Sequence, residues 1–312
     1  MTSIPYRHFL SDSSVVNQDD ATTTYPFVKP ITSVDTPNAL SVGDFKNLDT
    51  QIQQAFASQP DGVLTRYSVY FRDLNSGFWF GINENDTYDP ASMLKVTFAM
   101  AAYKEAEDQP GFLNQKATYT PELANLITLV PFTAASELTV NDSYTIQDLI
   151  SKMIVDSDNG AKDILGNTVD KTIIDNTYLH LGLTVPPDAG GYLISPKQYA
   201  MFFRVLYNTT YLDSYDYSNQ LLQLLANSDF KKGLVAGVPS GIEVAHKFGE
   251  RVFSGDNNVI ISMELHDCGI IYKPNSPYLL CIMTQGKDED TLGTAIASAS
   301  AAVYNNFNGS DK

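Results

Sequence analysis

The sequence predicts an α/β sandwich of the α+β type: a five-stranded antiparallel sheet flanked by helices, with an all-helical half inserted into it. Two observations predict this. Period-two alternation is confined to the two ends of the 312-residue chain, while its middle carries apolar residues at helical spacing. Strands so far apart in sequence share one core only if the helical middle is an excursion from a single sheet. Hydrophobic residues make up 43% of the chain and charged residues 18%, enough apolar surface for a large core and unlike a disordered composition.

The elements follow in order. Phe45, Leu48, Ile52, Ala55 and Phe56 recur on one helical face over Asp44–Ser58. Arg66–Asp73 alternates as a strand, Asn75-Ser76-Gly77 turns, and Phe78-Trp79-Phe80 begins the second arm of a hairpin. A polar loop then leads to an apolar helix from Ser92 to about Ala106. Thr145 caps a helix carrying Ile146, Leu149, Ile150, Met153 and Ile154, which stops at Ser157-Asp158-Asn159-Gly160. After a Gly/Pro-rich stretch, Pro196–Tyr207 is helical. Gly241–Val252, Leu265–Tyr272 and Tyr278–Gln285 complete five strands, and Asp290–Tyr304 closes the chain as a helix. These boundaries give a stalk- or linker-like segment over 1–43 and a body over 44–312. The body divides into a sheet half, 44–110 with 226–312, and a helical half, 111–225.

The formal charge of −16 repels nucleic acid and anionic membrane surfaces, so neither is an expected partner. Four scattered histidines and two cysteines form no metal-ligand spacing, so no metal is expected. No apolar run is long enough to span a bilayer, and Met1–Leu10 has no apolar signal core. The Ser/Thr/Asp/Pro-rich start is what a chain cut just after a membrane anchor would show, so an anchor outside this chain is an open expectation.

A serine hydroxyl needs a proton acceptor before it is a useful nucleophile. Ser92-Met93-Leu94-Lys95 offers one, because residues three apart share a helix face. At the opening of a helix, free N–H groups favour developing negative charge, and apolar neighbours lower the lysine pKa. Alone the motif is weak: Ser228-Asp229-Phe230-Lys231 repeats it, and a capping serine with a surface lysine reads the same way. Order adds specificity. Ser157-Asp158-Asn159 follows Ser92 by 65 positions, and Lys247-Phe248-Gly249 lies 90 further on, in a predicted strand.

With Tyr88-Asp89-Pro90-Ala91 before the first motif and Val244-Ala245-His246 before the last, this series resembles the S-x-x-K, S-D-N, K-[TS]-G signature of class A β-lactamases and penicillin-binding proteins. The resemblance covers roughly Asp44–Tyr304 and implies a β-lactamase/transpeptidase-like fold with a site between its halves. It implies a cofactor-free serine hydrolase of extracytoplasmic location, periplasmic or cell-surface, that forms a Ser92 ester. Its substrate would be a small-molecule or peptide amide or ester: a β-lactam, a cell-wall peptide or a simple ester. Lys95 is then base or proton relay, Ser157 passes the proton to the leaving group, and Asn159 binds a substrate amide. Lys247 offers charge to a carboxylate and to Ser157, and the N–H groups of Ser92 and Glu250 hold the oxyanion, with Gly249 beside them. A glutaminase-like amidohydrolase and a penicillin-binding sensor that stays acylated remain alternatives.

Two departures from the signature bear on activity. Phe248 stands where the family carries a hydroxyl; Arg251, on the same strand face as Lys247 and Gly249 by spacing, is the residue that would compensate. The loop Leu181–Ser195 has no glutamate to activate water, and Asp188 is its one acid, so poor β-lactam turnover is expected. Cys268 and Cys281 face each other across the last hairpin. Directly opposed positions strain a bridge, so buried thiols are expected and a disulfide is the alternative.

Overall fold

The computed structural model describes residues 25–30, 42–128, 136–187, 190–256 and 259–309. Strands β1 (Leu64–Asp73), β2 (Trp79–Ile82), β5 (Val244–Ser254), β6 (Ile260–Ile271) and β7 (Tyr278–Gly286) form one sheet in the order β2-β1-β7-β6-β5, antiparallel throughout. The two chain ends thus meet at the β1–β7 pair, and β5 is left as an outer strand.

Alternation along each strand sends successive side chains to opposite faces. Val69, Phe71, Leu265, Leu280 and Ile282 pack on one face against Leu48, Ile52 and Phe56 of α1 (Val42–Ala57) and Leu292, Ile296 and Val303 of α9 (Glu289–Asn306). Tyr70, Cys268, Ile270, Leu279, Cys281 and Met283 point the other way into the helical half. Each such buried side chain contributes about 1.5–3 kcal/mol, so the two faces fix the register.

At the centre of that half lies α2 (Lys95–Asp108), buried on nearly every side, as its rich supply of alanines allows. Around it are α3 (Pro121–Thr128), α4 (Ile146–Val155), α5 (Asn159–Thr168), α6 (Lys171–His180), α7 (Pro196–Tyr207) and α8 (Tyr215–Ala226). Thr145 caps α4 by accepting from Asp148 N–H. Ser195 and Gln198 form a capping box on α7, with Pro196 at its first turn.

Three findings were not expected. A two-stranded ribbon, β3 (Lys116–Thr118) with β4 (Ser143–Thr145), lies in the nominally helical half; three residues are too few to display a period. Cys268 and Cys281 are directly paired on β6 and β7, wholly buried, and joined as a disulfide, which corrects the expectation of thiols. Their register puts both side chains on one face of adjacent strands. Finally, residues 25–30 dock on the body: Lys29 N–H donates to Tyr207 O (2.7 Å), Tyr272 Oη to Phe27 O (2.9 Å), and Val28 is buried. The rest of 1–41 lies outside the described residues.

Candidate active site

Ser92 sits in a 3₁₀ turn, Ala91–Leu94, and α2 begins at Lys95. The expected continuous helix from Ser92 is therefore replaced by a tight turn in front of it, entered through Ala91 at φ 47°. Side chains hold that entry. Ala91 N–H donates to Asp89 Oδ1 (2.9 Å), and Asp89 N–H donates to Glu264 Oε2 (3.1 Å). His266 Nδ1 accepts from Thr284 N–H (3.2 Å), so Nε2 carries the proton and donates to Asp89 O (3.1 Å). On the far side of the turn, wholly buried Tyr199 donates to Met93 O (2.8 Å). Sequence reading picked out Asp89 with its neighbours but missed Glu264, His266, Thr284 and Tyr199, which carry no spacing that ties them to Ser92.

Strand β5 presses directly on this turn. A methyl group at Gly249 would lie 2.7 Å from Met93 Cγ and also collide with Pro90 O, so only glycine permits the approach. Gly249 thereby brings the free edge of β5, with Lys247 and Glu250, beside Ser92.

The third element comes from the helical half. Between α4 and α5 the chain reverses at Ser157, held at φ 56°. Asp158 caps α5 through Ala161 N–H (2.8 Å) and also accepts from Ser136 Oγ (2.8 Å) and Glu137 N–H (2.8 Å). The fixed junction presents Ser157 and Asn159 to Lys95.

These elements converge on two lysines. Lys95 Nζ lies within hydrogen-bond distance of Ser92 Oγ (3.0 Å), Asn159 Oδ1 (2.8 Å), Ser157 Oγ (3.2 Å) and the Ser157 carbonyl. Lys247 Nζ donates to the same Ser157 Oγ (2.9 Å) and to Phe248 O (3.3 Å). One hydroxyl therefore stands between two buried amines. Burial lowers the Lys95 pKa to about 7, Lys162 adds to the effect, and Asp158, Asp163 and Glu250 oppose it. Burial, then the neighbouring Lys95, holds Lys247 well below its ordinary value. Burial and Glu289 push the Glu250 carboxyl upward, against Lys232, Lys247 and Lys95. Two ammonium groups sharing one acceptor are costly to keep charged together, so the arrangement favours an uncharged amine within reach of Ser92 Oγ. Such an amine can take a serine proton.

Of the remaining sequence candidates, Arg251 is half exposed and paired with Asp89 (3.6 Å). Phe248 lies flat on Phe230, with ring centres 4.1 Å apart and 12° between planes. The competing serine, Ser228, is wholly buried, and Lys231 donates to its carbonyl rather than its hydroxyl. Asp188 lies outside the described residues, although the loop end beyond it is strapped beside Asp89 by reciprocal Tyr88–Ile194 backbone bonds (3.0 Å each). Among the described residues no group of three or more metal-ligating side chains gathers, and no helix is long and apolar enough to cross a membrane.

Residues 47–307 match a family model described as the beta-lactamase enzyme family. No curated protein matches. Among solved structures the chain is similar to PBP-A (22% identity, TM-score 0.70, covering 88% of this chain and 98% of that one). It is also similar to a PBP-A mutant solved as an acyl-enzyme complex with penicillin G (24%, TM-score 0.68, 83% and 96%). A class A β-lactamase from Mycobacterium abscessus is a third (22%, TM-score 0.66, 84% and 98%). At these identities the likeness is one of fold.

Proposed function

Given that the chain belongs to the β-lactamase enzyme family, we propose that it is a serine hydrolase acting through a Ser92 ester on an amide or ester of the β-lactam or cell-wall-peptide kind. The observation that carries this is the contact of one buried amine, Lys95 Nζ, with both Ser92 Oγ and Ser157 Oγ.

In the first step uncharged Lys95 takes the Ser92 proton as Oγ bonds to the substrate carbonyl carbon. The resulting oxyanion rests on the N–H groups of Ser92 and Glu250, a contribution of about 2.7–4 kcal/mol per donor in comparable sites. The proton then passes through Ser157 Oγ to the leaving nitrogen or oxygen as its bond to the carbonyl carbon breaks. Lys247 fixes the Ser157 hydroxyl for that transfer, and Asn159 orients both Lys95 and the substrate amide. Water finally cleaves the ester, returning a proton to Ser92.

This last step is the slow one. The Leu181–Ser195 loop holds no glutamate, and general-base help is worth about 10²–10⁴ in rate. The same feature favours a second reading, a penicillin-binding receptor that stays acylated. Mixing the protein with a penicillin and following intact mass separates the outcomes: slow turnover after one equivalent supports the hydrolase, and an adduct that never clears supports the receptor. Rapid turnover without adduct would show that a deacylating base is present. The proposed location is extracytoplasmic, where such substrates occur and where the Cys268–Cys281 disulfide would persist.

A further inference from the structure

We propose that Phe248 sets the specificity of this centre, disfavouring acyl donors that carry a free carboxylate on the leaving-group side relative to those that are uncharged there. The inference rests on the serine-hydrolase reading above and names its substrate class.

Three observations carry it. An ammonium has three donors. Those of Lys247 are directed at Ser157 Oγ (2.9 Å), at Phe248 O (3.3 Å) and over the face of the Phe248 ring, whose centre is 4.1 Å from Nζ. Lys247 has no exposed surface, so no donor is left for a substrate anion. Second, the position following Lys247 offers a ring in place of a hydroxyl, and that ring is locked by its stack on Phe230. Third, the nearby cation on the same strand, Arg251, already faces the Asp89 carboxylate at 3.6 Å, while Glu250 interacts electrostatically with Lys247. An incoming carboxylate would have to displace one of these arrangements, and an uncharged group would displace none.

The test is the ratio of second-order acylation rates at Ser92 for benzylpenicillin and its methyl ester, which differ only in that carboxylate. The ratio is read by intact mass at about 1 M salt, where the Debye length is about 3 Å and the net charge of −16 no longer repels anions at a distance. In the native protein the ester should acylate faster than the acid. Phe248→Thr, which restores a charge-assisted hydrogen bond, should raise the acid-to-ester ratio by about 10- to 100-fold. Phe248→Ala should raise it less, by uncovering Lys247 alone. A native protein that acylates with the acid as fast as with the ester, or faster, overturns the proposal whether or not the variants fold. So does an unchanged ratio in a folded Phe248→Thr, or failure of both penicillins while a fluorophosphonate still labels Ser92. Failure of the fluorophosphonate as well would strike the hydrolase reading instead.

Discussion

Lowering the pH should slow acylation of Ser92 by protonating Lys95. With its pKa brought from 10.5 to about 7, the amine is half uncharged near neutrality, whereas an ordinary lysine would be uncharged in roughly 1 molecule in 3,000. Burial therefore raises the supply of base by about three orders of magnitude, and part of this is lost because a weaker base pulls less strongly on the proton. Below about pH 7 the rate should fall about tenfold per pH unit; above it the rate should level off. The assay is the second-order rate of fluorophosphonate labelling from about pH 5 to 10. Lys95→Arg, which keeps the charge and cannot shed its proton, should lose about 10²–10⁴ in rate at every pH. Stability carries the same signature. Between about pH 7 and 10.5 unfolded Lys95 holds a proton that folded Lys95 has released, so the native fold gains stability as pH rises through that window. Lys95→Met should flatten that gain. A labelling rate that is level from pH 5 to 9, or that breaks near 10, would refute the assignment of Lys95 as base.

Gly249→Ala places a methyl group against Met93 and Pro90 and should cost about 1–3 kcal/mol of stability by overpacking. Labelling should fall by about 100-fold as the β5 edge is displaced from Ser92, and near-native values of both would show that the close approach is unimportant. Tyr199→Phe removes a buried hydrogen bond to the Met93 carbonyl, so denaturant unfolding should report a loss of about 0.5–1.5 kcal/mol. Ser228→Ala should label at the native rate, because that serine faces no amine; lost labelling would mean the wrong S-x-x-K had been chosen.

The sheet, its flanking helices and the order of the motifs were legible because each depends on local period or on fixed spacing. Helix α7 was read to the residue, since Ser195, Pro196 and Gln198 write a helix start in sequence. Where the sequence was silent, the cause was distance. Nothing links Tyr199, Glu264 or His266 to Ser92 along the chain, yet together they hold its turn. The 3₁₀ turn itself was missed because S-x-x-K spacing suits either helix type for a single turn. The disulfide was misjudged on strand geometry, although the pairing of Cys268 with Cys281 followed directly from the hairpin register. Phe248 was visible as a departure, but its stack on Phe230 and its place under Lys247 needed three dimensions.

The central claim is that one hydroxyl, Ser92 Oγ, becomes covalently acylated. The native protein and Ser92→Ala, each incubated with a fluorophosphonate and with benzylpenicillin methyl ester, can be compared by intact mass and peptide mapping. The account predicts one adduct per chain, on the peptide containing Ser92, absent from Ser92→Ala while that variant melts as a folded protein. An adduct that persists in Ser92→Ala, or maps to the peptide containing Ser228, would contradict it.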